Sequence, residues 1–188
     1  MTPYRRAAVY FVACLVVSAF VRPSLSFDAP MRAVLGLVAL EVVAYGVIWP
    51  RGTYTLDRQR DWASPVFGLV WGSAEGLLLL SLATVVGSPW VAFVVLSTFQ
   101  GAWHAAYWDR FVAPEHNDPR WNLPKVLLCH VPNLGLTLWF LHATGAGGWF
   151  VVFQTLALTL SATAMRFPRP AGPRDPGGRP LRRPGARA

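Results

Sequence analysis

Two glutamates stand in the middle of long apolar stretches, where an ionised side chain is costly to bury. Glu41 lies within GLVALEVVAYG and Glu75 within WGSAEGLLLL. Because no Lys or Arg lies at a similar depth, each carboxyl must stay protonated or find a histidine, an amide or a bound ligand as its partner. Ionisable residues of this kind usually face a cavity, so we interpret Glu41 and Glu75 as candidate catalytic groups.

Histidines and amides in neighbouring apolar stretches supply partners for such carboxyls. Gln100 and His104 are four residues apart, so they share one face of a helix, and His130 shares a face with Asn133 in the same way. We predict that His104 and Asn133 take part in catalysis with the two glutamates. A pocket with aromatic walls would open toward the polar loop that follows the fourth apolar stretch. Its predicted substrate-binding residues are Trp71, Gln100, Trp103, Tyr107, Trp108, Glu115, His116 and His130.

Two chemistries fit these residues. In the first, a protonated carboxylic acid donates a proton to an alkene, aromatic faces stabilise the developing cation, and a second group removes a proton elsewhere. In the second, His104 and His130 ligate a metal or haem, with Glu115 and His116 close by. The histidines are irregularly spaced and no HxxxH, HxxE or CxxC pattern occurs. We therefore predict proton transfer with no cofactor and no metal site.

Several of these residues also have a purely structural interpretation. Tryptophan and tyrosine are common anchors at membrane interfaces. Gln100, Asn133 and Gln154 can form hydrogen bonds between helices. The ring of His130 can satisfy a carbonyl that Pro132 leaves without a donor. The glutamates in the middle of apolar stretches are the hardest to explain in this way.

The elements that carry these residues are six apolar runs, each long enough or nearly long enough to cross a membrane as a helix. Hydrophobic residues make up 54% of the chain and charged residues 14%, well below the roughly 25% of a soluble domain. Prolines, glycines and charges separate the runs, and the runs lack the alternation of barrel strands. We predict an all-α, polytopic transmembrane bundle over residues 1–166, with helices at about 7–22, 31–49, 64–86, 89–111, 125–143 and 148–166.

The first apolar run has two interpretations, a cleaved signal peptide or a retained helix. Arg5 and Arg6 precede a short apolar segment, which is also the pattern of a signal peptide. The residues that follow it, Arg22-Pro23-Ser24, do not form a small-x-small cleavage site. We therefore expect this run to remain as the first helix.

The basic residues predict the orientation of the bundle in the cell membrane. With the N-terminus inside, all of the 17 Lys and Arg except Arg22 and Arg32 fall on the inner side. The positive-inside rule then predicts that both termini are cytoplasmic. This distribution also accounts for the net charge of +8 without a nucleic-acid partner. Residues 167–188 are rich in Pro, Gly and Arg, so we predict a disordered basic tail that approaches anionic lipid headgroups.

Short motifs in the predicted second to fifth helices carry a family resemblance. They are Trp71-Gly72, Gln100, Glu115-His116 and Asn133, with Glu41 in the preceding helix. Together they resemble the emopamil-binding protein family, the sterol isomerases and their relatives in the EXPERA group. The sequence departs from that pattern at Leu37, where the family has a histidine, and in its additional sixth helix. The resemblance implies a cytoplasm-facing cavity for a sterol-like or isoprenoid lipid and cofactor-free double-bond isomerisation.

The predicted function is therefore proton-transfer chemistry on a sterol- or isoprenoid-type lipid by an isomerase- or cyclase-like membrane enzyme. The expected partners are membrane lipids and a hydrophobic small molecule, and the sequence leaves the oligomeric state open. The alternative is a membrane protein that binds a lipid or small molecule without catalysis, or a subunit of a membrane complex. A proton-coupled transporter is less favoured, because the sequence shows no internal repeat.

Overall fold

The computed structural model describes residues 3–51, 62–111 and 118–165, and within these ranges it contains helices and no strand. This confirms the predicted all-α bundle and its six helices. The helices are α1 (Pro3–Val21), α2 (Met31–Glu41, continued by Val42–Ile48), α3 (Ala63–Val86), α4 (Pro89–Phe111), α5 (Asn122–Lys125, continued by Val126–His130 and Val131–Thr144) and α6 (Gly147–Met165). A short 3₁₀ turn, Pro119–Trp121, precedes α5. The predicted basic tail lies outside the described residues.

The helix ends lie close to the predicted ones, with the largest differences at the starts of α1 and α5. The predicted fifth helix begins at Lys125, after Pro124, whereas α5 begins at Asn122. Proline is tolerated in the first turn of a helix because its missing N–H has no intrahelical partner there. Pro124 therefore lies inside the first turn of α5 and does not mark its boundary.

Within the described ranges, four helices are long and apolar enough to cross a membrane: α2, α3, α5 and α6. The other two contain shorter apolar helical stretches, Ala8–Val21 in α1 and Pro89–Gly101 in α4. Large apolar side chains such as Phe20, Leu35 and Val94 are exposed on the outside of the bundle. Exposure on this scale is unfavourable in water and ordinary against lipid. The chain is an integral membrane protein.

The centre of the bundle is the antiparallel pair α3 and α6, which approach along a row of glycines. A Cβ atom on Gly68 would lie 2.5 Å from the Cα of Thr159, and one on Gly72 would lie 2.8 Å from the Cα of Thr155. Gly76 continues the row four residues later, next to Val151. Small residues at this spacing allow two helix backbones to come into direct contact, which is a common way for membrane helices to associate.

Two helices widen into π-helical segments where they pass each other. These segments are Val42–Ile48 in α2 and Val126–His130 in α5, and the Sγ of Cys129 donates to the carbonyl of Ala44 at 3.3 Å. In α5 the cause is Pro132, which cannot donate to the carbonyl of Leu128 and whose ring crowds that carbonyl. π-Helical turns are rare and often occur at functional sites.

Candidate functional site

A groove of about 120 Å³ lies between α2 and α5, at the level where both helices widen. Its polar lining residues are Glu41 and Asn133, which are only 3% and 8% exposed. Of its apolar wall residues, Leu40, Leu128 and Leu136 are themselves exposed on the outside of the bundle. The groove therefore opens sideways toward lipid, with a carboxyl and a carboxamide at its floor.

One oxygen of each polar residue has no hydrogen-bond partner within the described residues. These atoms are Oε2 of Glu41 and Oδ1 of Asn133, and both are buried. Buried polar atoms are normally hydrogen-bonded because an unmade bond costs about 1–3 kcal/mol. Both atoms belong to residues that line one groove, so a molecule bound there with matching groups would complete their hydrogen bonding.

Tyr45 joins the groove to His130 through a chain of hydrogen bonds. The Nδ2 of Asn133 donates to the hydroxyl oxygen of Tyr45 at 3.1 Å, and this oxygen lies 3.4 Å from Nδ1 of His130. Because the tyrosine oxygen accepts from Asn133, its own proton is available to His130. Trp49 packs against the Tyr45 ring at a centroid distance of 5.3 Å. A proton can pass between the Tyr45 hydroxyl and the His130 imidazole, and Asn133 fixes the orientation of that hydroxyl.

Tyr45 is a residue that the sequence analysis missed, although a signal for it was present. It follows Glu41 by four residues, the spacing that places two side chains on one helix face. The π-helical geometry that brings it against α5 has no comparable signal in the sequence.

Replacing Tyr45 with phenylalanine tests this chain of bonds. The variant removes an acceptor for Asn133 and a donor to His130 while keeping the ring that packs on Trp49. We expect the free energy of unfolding in mixed micelles to fall by about 1–3 kcal/mol, the cost of buried polar groups left unbonded. Thr84→Val is the control, because Thr84 is exposed and bonds only the carbonyl of Leu80 in its own helix. Equal losses in the two variants would contradict a buried network.

Glu75 lies in a different cluster, between α3 and α4. Its Oε2 accepts from Nε1 of Trp71 at 3.0 Å, and its Oε1 accepts from Nε2 of Gln100 at 2.5 Å. The residue is 4% exposed and does not line the groove. The ring of Tyr10 from α1 stacks on Trp71 at a centroid distance of 5.1 Å. Both oxygens of Glu75 are thus engaged, in contrast to those of Glu41.

The predicted site residues therefore separate into two groups in the structure. Glu41 and Asn133 line the groove and His130 is linked to Asn133 through Tyr45, whereas Glu75 bonds Trp71 of its own helix and Gln100 of α4. The sequence alone predicts that both glutamates take part in one chemistry. Of the two, Glu41 lines the α2–α5 groove and Glu75 does not.

Other predicted residues cannot be placed at side-chain level. Trp103, His104, Tyr107 and Trp108 lie in α4, but their side chains are outside the described part of the structure. Glu115 and His116 lie outside the described residues altogether. Among the residues that are described, no three His, Cys, Asp or Glu side chains form a group that could hold a metal ion.

The loop before α5 begins, in its described part, with an exposed ion pair. Nη2 of Arg120 lies 2.9 Å from Oδ2 of Asp118, and the guanidinium holds the pKa of this carboxyl below its ordinary value. An exposed pair of this kind contributes little stability. It orders the turn that leads into α5, because the backbone N–H of Arg120 also donates to Asp118.

The amides in the middle of helices do form bonds between helices, as the structural interpretation expected. Gln100 bonds Glu75 on α3, and Asn133 bonds Tyr45 on α2. Nε2 of Gln154 on α6 donates to the hydroxyl of Thr137 on α5 at 3.0 Å. For Asn133 this bond uses the amide nitrogen and leaves the buried oxygen without a partner among the described residues, so a structural role does not account for the whole side chain.

A second groove, of about 230 Å³, lies between the start of α4 and the later part of α5. Its lining residues are Pro89, Trp90, Phe93, Gly135, Leu138 and Trp139. None of them carries an ionisable group, so this groove offers van der Waals contact to an apolar chain and no acid–base chemistry.

Comparison with known proteins gives no match: no protein-family model, no curated protein and no solved structure matches this chain. The function must therefore be argued from the side chains of the two clusters.

Proposed function

We propose that this membrane protein is an isomerase- or cyclase-like enzyme that transfers protons to and from an isoprenoid-type lipid in the α2–α5 groove. The observation that carries the proposal is the Oε2 of Glu41, buried and unbonded within the described residues at the floor of an apolar groove. A carboxyl without a cation or hydrogen-bond donor in such a place is far cheaper to bury protonated than ionised. It is then a Brønsted acid beside a groove that opens toward lipid, and it is shielded from water; these are the conditions for protonating an alkene.

Neighbouring side chains are suited to remove the proton that the lipid must then lose. Once an alkene is protonated, the carbocation must lose a proton from an adjacent carbon, or be attacked by a second double bond before it does so. The hydroxyl of Tyr45 and the imidazole of His130 form a relay that ends at a base able to accept a proton. Tyr45 would take a proton from the carbocation as it gives its own proton to His130, with Asn133 holding Tyr45 in position. The imidazolium would then return a proton to the Glu41 carboxylate, so that both groups end the reaction as they began it.

Orientation and family resemblance are part of this proposal. With both termini cytoplasmic, as the basic residues indicate, the groove belongs to the cytoplasmic half of the membrane. The resemblance to the emopamil-binding protein family gains support from Glu41 and Asn133. They are two of the residues that carry it, and they line the same groove.

Deuterium incorporation is the experiment that tests this function. Purified wild-type protein in lipid nanodiscs is incubated in D₂O with a panel of isoprenoid hydrocarbons, isoprenoid alcohols and unsaturated sterols. We expect at least one lipid to be recovered with deuterium on carbon and a shifted double bond or a new ring, detected by mass spectrometry and NMR. Empty nanodiscs are the control. Binding of these lipids with no deuterium in any of them would contradict the enzyme and favour the non-catalytic lipid-binding alternative.

A further inference from the structure

The two unbonded oxygens at the floor of the groove differ in what they can do. When the Glu41 carboxyl is neutral, Oε2 can carry its single proton and donate a hydrogen bond. Oδ1 of Asn133 can only accept, because the amide nitrogen of the same side chain is bonded to Tyr45. Glu41 of α2 can therefore offer one donor, and Asn133 of α5 one acceptor, to a molecule bound in the groove that both residues line.

A hydroxyl group matches this pair. Its oxygen accepts from Glu41 while its hydrogen is donated to Asn133, so one alcohol group satisfies both buried atoms. An ether or ester oxygen only accepts and would leave Asn133 unbonded. An ammonium group only donates and would need an ionised Glu41. A carboxylate or phosphate would bring negative charge against the Asn133 oxygen, and the groove is lined by no Lys or Arg in the described part of the chain.

The size of the groove limits the shape of the molecule that carries the hydroxyl. Its volume of about 120 Å³ is smaller than the ~300 Å³ at which pockets for whole drug-sized ligands begin. Only one end of a lipid fits inside. The mouth continues onto the exposed side chains of Leu40, Val43 and Leu128, along which an apolar chain can lie. A slender chain suits this opening better than a fused ring system.

We infer that the α2–α5 groove binds the terminal hydroxyl of a linear, isoprenoid-type lipid alcohol between Glu41 and Asn133, with the hydrocarbon chain lying along the lipid-facing surface. This inference rests on the proposed function, because it names the substrate class of the same site. It also predicts that the groove distinguishes lipids that have the same hydrocarbon chain but different head groups. The proposed catalysis does not require this.

Binding of four probes with one common chain tests the inference. The probes are farnesol, farnesyl methyl ether, farnesylamine and farnesoic acid, each titrated into wild-type protein in zwitterionic nanodiscs at pH 7 and followed by quenching of tryptophan fluorescence. We expect farnesol to bind at least about tenfold more tightly than the ether, since the ether leaves a buried acceptor unbonded. Equal or tighter binding of the ether, the amine or the acid would overturn the inference.

Two variants at Glu41 separate binding from catalysis. In Glu41→Gln the side-chain amide still donates to the alcohol, so farnesol should keep its advantage over the ether. In Glu41→Leu both probes lose this donor, so both should bind more weakly, while farnesol keeps the advantage that it owes to Asn133. Gly36→Ala is the control, since a Cβ at Gly36 meets no atom within 4 Å. If Glu41→Leu does not fold, the comparison of alcohol and ether in the wild type still decides the inference.

The outcomes for this inference and for the proposed function are distinguishable. Preference for the alcohol without deuterium incorporation in the wild type supports the hydroxyl site and contradicts the enzyme. Deuterium incorporation without preference for the alcohol supports the enzyme and overturns the hydroxyl site.

Discussion

Replacing Glu41 with glutamine is expected to reduce deuterium transfer to the bound lipid by about 10²–10⁴-fold, the usual contribution of a positioned general acid. Glutamine has the same shape and can still donate a hydrogen bond, but its amide cannot protonate an alkene. Because Glu41 is buried at the floor of the groove, water cannot readily replace it as the proton donor. The measurement is the initial rate of deuterium incorporation in nanodiscs, normalised to folded protein.

Two further variants make this result specific. Glu41→Asp keeps an acid at the same position on a shorter side chain, so it should retain part of the rate that glutamine loses. Glu75→Gln changes a carboxyl whose oxygens are bonded to Trp71 and Gln100 away from the groove. If Glu75→Gln abolishes transfer while Glu41→Gln does not, the active carboxyl lies between α3 and α4, and the assignment to the groove is wrong.

Replacing Gly68 with alanine is expected to cause the largest loss of stability among the substitutions considered. The added Cβ would lie 2.5 Å from the Cα and 3.0 Å from the backbone N of Thr159. Since these are backbone atoms of α6, they cannot turn aside as a flexible side chain would. Forced overpacking of this kind costs about 1–3 kcal/mol and sometimes more, and it would separate the two central helices.

The two buried cysteines provide the measurement for this prediction. Cys14 and Cys129 are almost fully inaccessible, so a thiol-reactive dye should label them only as the bundle unfolds. We expect Gly68→Ala to lower the temperature of labelling by several degrees. Gly101→Ala is the matched control, because it adds the same methyl group at a helical position where no atom lies within 4 Å of the new Cβ. An unchanged labelling temperature in Gly68→Ala would show that α3 and α6 are not in backbone contact.

The sequence by itself determined the helical class, the order of the six helices and the position of each polar residue along its helix. Helices in lipid must satisfy all their backbone hydrogen bonds internally, so the length and composition of an apolar run nearly fix its structure. Helix-breaking residues predicted the helix ends less well, since Pro124 lies inside the first turn of α5. Spacing within one helix was also informative, since it relates Glu41 to Tyr45 and His130 to Asn133.

Only the tertiary structure decided which of these residues meet. Periodicity tells which side chains share a face of one helix, but it carries no information about the neighbouring helix that the face contacts. α2 approaches α5 at the widened turns of both helices, and Glu41 and Asn133 come to line one groove there. The same packing turns Glu75 toward Gln100 and away from that groove. Two glutamates that look equivalent in the sequence are thereby given different surroundings, one without a partner for its Oε2 among the described residues and one fully hydrogen-bonded.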